Sequence, residues 1–229
     1  MLIQESKKVA KMYGKFLRNR TVVLVGPSYH TKGTKQVDII NSYDVVVRMN
    51  IGFRVTSEKV RKDIGDRINV LYCGLSTYFF HTKLFSYESF KDMKKRGLKW
   101  IVCTHQKGTI NRLKKVNESS KFSINIVPKK DYKYVRNKMK KKPSTGIVTV
   151  YNLLQYDIKK LYITGMSFYD IGAIKKRRSY YGGYQDNIIY IDKKKINHNM
   201  VRETGLMRDL YENDKRIECD EVLKEILQR

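Results

Sequence analysis

The sequence predicts an α/β fold, a single Rossmann-like domain with a mostly parallel central sheet and helices on both faces. Three observations carry that prediction. Short apolar, β-branched runs at 22–25, 45–49, 68–72, 100–103, 124–127 and 161–165 alternate with polar or helical stretches, the rhythm of parallel strands joined by crossover helices. Residues 21–50 already contain a strand, a helical stretch and a second strand, a βαβ unit by pattern. The chain of 229 residues has no Pro- or Gly-rich linker, and at that length one core buries roughly 70% of the surface that the unfolded chain exposes. The expected division is a basic amphipathic helix over 1–20 and one domain over 21–229.

Val9, Met12, Tyr13, Phe16 and Leu17 fall on one face of residues 3–20, with Lys7, Lys8, Lys11, Lys15 and Arg18 beside them. Basic helices of this kind lie on anionic membranes; a terminal helix packed against its own domain has the same pattern and is the preferred reading. Thr21-Val22-Val23-Leu24-Val25 reads as a buried strand that ends abruptly in Gly26-Pro27-Ser28, and open α/β sheets hold ligands at such strand ends. A polar helical stretch carrying Val37, Ile39 and Ile40 leads to a second strand over 44–50, with Arg48 and Asn50 at its end. Further on, Lys142-Pro143-Ser144-Thr145-Gly146 precedes Ile147, Val150, Tyr151 and Leu154 at helical spacing, so a helix should begin near Ser144 or Thr145. Two hydroxyls at a helix mouth, where unpaired N–H groups and the positive end of the dipole emerge, suit a phosphate. An ordinary Ser or Thr N-cap has the same appearance.

Residues 22–50, VVLVGPSYHTKGTKQVDIINSYDVVVRMN, resemble the large sialyl motif of the sialyltransferases, glycosyltransferase family 29. Residues 143–170, PSTGIVTVYNLLQYDIKKLYITGMSFYD, resemble the small sialyl motif. Tyr180-Tyr181 is similar to the aromatic pair of the third motif, and His198 with Glu203 reproduces the His-x-x-x-x-Glu spacing of the fourth. Asp63-Ile64-Gly65-Asp66-Arg67 matches an Asp-x-Gly-x-Arg element that follows the large motif. Ordered elements spread over 22–203 are more specific than any one of them.

The resemblance implies a variant GT-A fold and a glycosyltransferase catalytic domain over 21–229. It further implies inverting transfer of a 2-keto acid sugar, sialic acid, from its CMP-activated donor to a hydroxyl of a glycan or glycolipid acceptor. His198 would be the general base, a role that suits an imidazole with its ordinary pKa of about 6.5. Glu203 would support it by hydrogen bonding; five residues miss the helical pairing distance, so a loop or helix start must intervene. For the donor, Ser144, Thr145 and Gly146 would hold the phosphate or carboxylate, Ser28 and Asn50 the nucleotide, and Tyr181 the phosphate. Gly26 and Gly165 would give the backbone close passage beside the nucleotide. The same machinery would serve another CMP-sugar such as CMP-Kdo.

Several positions depart from the family pattern. Animal members carry a cysteine in each sialyl motif, joined by a disulfide, where this chain has Thr21 or Val22 and Tyr156. Its three cysteines, Cys73, Cys103 and Cys219, show no metal-ligand spacing, and Cys73 and Cys103 end apolar runs, as core thiols do. The family's Gly-Asn-Ser is here Gly26-Pro27-Ser28, and Ser179 stands where a histidine usually precedes the aromatic pair, next to Arg177 and Arg178. No Asp-x-Asp occurs anywhere in the chain, so metal independence is expected, with hydroxyls, tyrosine and basic groups neutralising the leaving phosphate. No cofactor is expected, and His30, His81 and His105, scattered singly, read as non-ligands.

With 48 Lys+Arg against 22 Asp+Glu, the formal net charge is +26. That balance suits nucleic acid, and eight basic residues with Tyr132 and Tyr134 crowd residues 129–142, where aromatics among lysines resemble a base-stacking surface. No helix-turn-helix, zinc-finger or RNA-binding signature accompanies them, so a specific nucleic-acid partner is not expected, and a non-catalytic nucleic-acid binder is the rival reading. Positive charge equally steers an anionic nucleotide sugar and attracts the chain to anionic membrane surfaces. No run of about 18 apolar residues and no apolar signal core follows Met1, so the expected location is the cytoplasm, with peripheral membrane association.

Overall fold

The computed structural model describes residues 7–55, 57–74, 86–104, 122–168 and 198–229. Among these, seven strands form one sheet: β1 (Thr21–Val25), β2 (Val45–Met49), β3 (Val70–Cys73), β4 (Trp100–Cys103), β5 (Ser123–Ile126), β6 (Lys160–Thr164) and β7 (Ile217–Cys219). Their order is β5-β4-β3-β2-β1-β6-β7, and every pairing is parallel. Eight helices surround it: α1 (Lys7–Leu17), α2 (Val37–Ser42), α3 (Glu58–Ile64), α4 (Tyr87–Lys95), α5 (Lys129–Met139), α6 (Thr145–Leu154), α7 (Met200–Asn213) and α8 (Glu221–Gln228). The expected α/β architecture is therefore present, and each of the six apolar runs overlaps a strand.

The sequence pattern explains the layering. β1 is buried at Val22, Val23, Leu24 and Val25, and β2 along its whole length, as strands covered on both faces must be. Val22, Leu24, Val45 and Val47 face a core shared with α1, α5, α6, α7 and α8, through Leu17, Val135, Ile147, Leu206 and Leu223. Their neighbours Val23, Val25 and Val46 point the other way, onto Ile40 of α2 and Val60 and Ile64 of α3, because successive side chains leave opposite faces of a strand. Further along that second face, Leu71, Ile101 and Ile124 meet Phe90 and Met93 of α4.

α1 takes the packed arrangement. Tyr13 and Leu17 are fully buried, Val9 and Phe16 lie on the main core, and Met12 stays half exposed. The Tyr13 ring meets Trp100 and Tyr156 edge-on, each at 5.1 Å. Its hydroxyl starts a buried chain of hydrogen bonds through Tyr72 (3.2 Å), Asn152 (2.8 Å) and Asp131 (3.1 Å). Burial pushes the Tyr13 and Tyr72 hydroxyls well above the ordinary tyrosine value, so both tyrosines join the chain as neutral groups. All three cysteines are buried and free. No helix of the described residues is long and apolar enough to cross a membrane.

Because Leu17 lies in the main core, Leu17→Ala should lower unfolding free energy by about 2–5 kcal/mol, read as a lower denaturant midpoint at unchanged slope. An unchanged midpoint would mean that α1 does not belong to the folded core.

Candidate active site

The order of the sheet locates the site. From β1 the chain steps to β2, β3, β4 and β5 on one side, and to β6 and β7 on the other. The strand order reverses between β1 and β6, and parallel α/β sheets bind ligands beyond the carboxyl ends of the strands at such a point. Gly26, Ser28, Asn50 and Gly165 all lie there, just past β1, β2 and β6.

The two glycines first serve each other. A Cβ on Gly26 would sit 2.2 Å from the Gly165 carbonyl oxygen, and one on Gly165 would sit 2.5 Å from the Gly26 oxygen. Gly165 also has φ +73°, which favours glycine. The Gly26 N–H donates to the Thr164 carbonyl at 2.7 Å and the Ser28 N–H to the Gly165 carbonyl at 2.9 Å. The close passage at these glycines is thus backbone against backbone within the protein. Gly146 is approached by a side chain instead, since a Cβ there would lie 2.9 Å from Met166 Cε.

Asn50 holds a left-handed conformation, φ +47°, which asparagine tolerates better than most residues. Its Oδ1 accepts from the Gly74 N–H at 3.3 Å and the Thr145 hydroxyl at 3.4 Å. The amide nitrogen is therefore the group that Asn50 has left to offer a ligand.

Ser144 caps α6, as the spacing predicts, accepting from the Ile147 N–H at 3.4 Å. Both Ser144 donors go to one carboxylate: the N–H to Glu203 Oε1 at 2.7 Å and the hydroxyl to Oε2 at 2.5 Å. Ser144 therefore shapes the mouth, and its own donors are engaged. The helix ladder opens with Val148 N–H to Ser144 C=O at 3.3 Å, so the Thr145 and Gly146 N–H groups, with the positive end of the dipole, remain directed out of the mouth.

His198 reaches the same place from the other side. Its Nδ1 lies 2.8 Å from the Lys142 carbonyl; a carbonyl only accepts, so Nδ1 carries the proton and a neutral ring keeps its lone pair on Nε2. Asn199 then caps α7, accepting from the Arg202 N–H at 3.2 Å, and supplies the helix start that the five-residue spacing requires. Glu203 comes to Ser144, and His198 acts on it through charge. Glu203 is fully buried. Burial pushes its carboxyl above the ordinary value, against the opposing hydrogen bonds of Ser144 and the charge of His198.

Nothing local in the sequence marks two further residues. His30 Nε2 contacts Asp220 Oδ2 at 2.9 Å, and His30 Nδ1 contacts Ser28 Oγ at 3.0 Å. Asp220 reads locally as no more than a helix cap, and His30 as a lone histidine. Asp63 and Arg48 hold the loops behind the site: Asp63 accepts from the Gly33 and Lys35 N–H groups, and the buried Arg48 donates to the carbonyls of Ile64, Gly65 and Arg67. Tyr181, with Ser179, Tyr180, Arg177, Arg178, His81 and His105, lies outside the described residues. In the basic 129–142 segment, Tyr132 packs on the core and Tyr134 stacks on Tyr151 at 4.7 Å, so both rings already have partners.

No protein-family model matches the chain, and no curated protein matches it. Solved structures do. The sialyltransferase CstII of Campylobacter jejuni, in complex with cytidine-5′-monophosphate, is 14% identical with a TM-score of 0.59, over 88% of this chain and 80% of that one. The monofunctional alpha-2,3-sialyltransferase Cst-I of the same organism is 15% identical, TM-score 0.60, over 90% and 78%. A mammalian sialyltransferase is 17% identical, TM-score 0.56, over 88% and 68%. The chain has the fold of these sialyltransferases.

The raised carboxyl of Glu203 fixes the sign of a pH effect. Its stabilising contribution is complete below the ordinary value of 4.5 and is lost as the pH rises through the higher value of the folded state, because the folded protein holds that proton more tightly. Relative to Glu203→Gln, the wild type should therefore gain stability as pH falls from neutral towards 4.5. Denaturant titrations of both proteins across that range check it; a pH-independent difference would count against a raised carboxyl.

Proposed function

We propose that the chain is a sialyltransferase-type glycosyltransferase that moves a 2-keto acid sugar from a CMP-activated donor to an acceptor hydroxyl. The observation that carries this reading is the pinning of His198 Nδ1 on the Lys142 carbonyl beside the α6 mouth, in a fold shared with sialyltransferases. Nε2 accepts the proton of the acceptor hydroxyl, whose oxygen forms the new bond to the sugar's anomeric carbon from the face opposite the phosphate. The bond from that carbon to the phosphate oxygen breaks, and CMP leaves with the electron pair. The Thr145 and Gly146 N–H groups and the helix dipole meet the charge developing on the phosphate. Asn50 Nδ2 donates to the nucleotide, and Glu203 holds Ser144 so that the mouth keeps its shape. A net charge of +26 steers the anionic donor inward.

The decisive assay is release of CMP and sugar transfer from CMP-sialic acid. His198→Ala should lower turnover roughly 100-fold or more, while CMP still stabilises the fold in a melting titration. Transfer at near wild-type rate by that variant would remove His198 from the chemistry.

The missing Asp-x-Asp motivates a second expectation: transfer should persist in excess EDTA. If chelation stops the reaction and only Mg²⁺ or Mn²⁺ restores it, the leaving group is neutralised by a metal and this account of it is wrong.

A further inference from the structure

The Asp220 carboxylate has its contacts filled. Oδ1 accepts from the Leu223 N–H at 2.8 Å; Oδ2 accepts from the Gly165 N–H at 2.8 Å, the Thr164 hydroxyl at 2.9 Å and His30 Nε2 at 2.9 Å. Burial pushes this carboxyl up, but the hydrogen bond and charge of His30 and the N–H groups of Leu223 and Gly165 outweigh it and hold Asp220 below the ordinary value. An ionised carboxylate only accepts, so His30 Nε2 carries a proton whatever the charge on the ring. What remains variable is Nδ1, which lies 3.0 Å from Ser28 Oγ; that oxygen in turn lies 3.2 Å from Ser167 Oγ.

A hydroxyl has one proton. With a neutral ring, Nδ1 accepts a hydrogen bond from the Ser28 hydroxyl, and the serine oxygen turns its lone pairs outward. With a charged ring, Nδ1–H donates to Ser28, and Ser28 donates to Ser167 or to a ligand. The His30 and Asp220 side chains are only 8% and 7% exposed, so water does not take over either contact.

We propose that His30 is a positioning residue of the donor site: its protonation sets the direction of the Ser28 hydroxyl, which with the ring neutral accepts a hydrogen bond from a donor group of the nucleoside, a ribose hydroxyl or the base amine. The proposal rests on the donor-site reading above. It answers a need of that site, because the Asn50 Oδ1 acceptor is occupied by Gly74 and Thr145 and the α6 mouth supplies N–H donors. Those groups serve an anion, whereas ribose hydroxyls and an amine require an acceptor.

The charged and titratable neighbours are few. Asp220 contacts the ring from the start of α8. Tyr162 of β6 and Cys219 of β7 feel the charge of Asp220, and burial first, then that charge, pushes each up to about 12. Lys224 of α8 acts on Cys219, and on the His30 turn itself Lys32 donates to the Tyr29 hydroxyl at 2.5 Å.

Cytidine is the probe, since it lacks the phosphate whose titration would mask the effect. Its affinity is measured by calorimetry from about pH 5.5 to about 8.5 in a His198→Ala background, which removes the other imidazole among the described residues of the site. Affinity should rise about fivefold over that range, the scale of one net hydrogen bond. The rise should vanish in both His30→Gln and Ser28→Ala, and the double variant should be no flatter than either. 2′-Deoxycytidine loses the rise if the 2′-hydroxyl is the partner, 3′-deoxycytidine if the 3′-hydroxyl is, and uridine if the amine is. If His30→Gln weakens binding equally at every pH while Ser28→Ala keeps the rise, His30 is merely structural and the proposal falls. Should His30→Gln fail to fold, Ser28→Ala and the imidazole ¹⁵N shifts of His30 decide; a ring titration that cytidine does not move overturns it. If the wild type binds neither cytidine nor CMP, the donor-site reading falls as well, a result distinct from binding without the pH effect.

Discussion

The close approach of Gly26 and Gly165 governs this molecule. β1 and β6 are adjacent and parallel in register from Thr21↔Lys160 to Val25↔Thr164, and the two chains leave the sheet so near each other that a Cβ at either glycine would collide with the other's backbone. That contact lies where the strand order reverses. A side chain at either position would force the two turns apart, and with them Ser28 and His30, which meet Gly165, Ser167 and Asp220 across the gap. The arrangement of this side of the candidate site thus follows from backbone packing, before any ligand is considered.

Acidic side chains are scarce in a chain with 22 Asp+Glu against 48 Lys+Arg, and three of the four buried ones among the described residues are engaged by backbone N–H groups around the site, Asp131 being held by Asn152 instead. Glu203 takes Ser144, Asp220 takes Gly165 and Leu223, and Asp63 takes Gly33 and Lys35. A buried carboxylate is tolerable only where hydrogen bonds replace its hydration. The acids therefore act as internal clamps on loops, and much of the basic excess is left at the surface: Lys138, Lys140, Lys141 and Lys142 are exposed and lie beside the Lys142 carbonyl that orients His198.

The strands were legible because parallel strands buried on both faces leave contiguous apolar runs, as in Val45–Met49. β7 was not, since three edge residues with one exposed between two buried give no such run. The start of α6 was legible from Ser144 and the spacing of Ile147 and Val150, because a cap and an apolar face are local properties. Motif order placed His198, Glu203 and Ser144 in one list, but that Glu203 engages both Ser144 donors emerges only when α7 is packed against α6. The pairing of His30 with Asp220 spans 190 positions and is invisible locally. Gly26 and Gly165 stood out by residue type, while the reason for them, each other's backbone, required the register of β1 and β6.

The site's two described histidines are fixed by one rule with different acceptors. In each, one ring nitrogen donates to an oxygen that can only accept: the Lys142 carbonyl for His198 and the Asp220 carboxylate for His30. The other nitrogen is thereby aimed, with its tautomer set for the neutral ring. A carbonyl orients the His198 imidazole through a neutral acceptor, which suits the general base proposed above. A carboxylate orients the ring of His30 from a side chain that is itself held by the Gly165 and Leu223 N–H groups, which suits a group that holds a second residue in place. The His198 ring is half-buried and the His30 side chain more enclosed, and the second nitrogen of His30 is aimed at a serine, 3.0 Å from Ser28 Oγ.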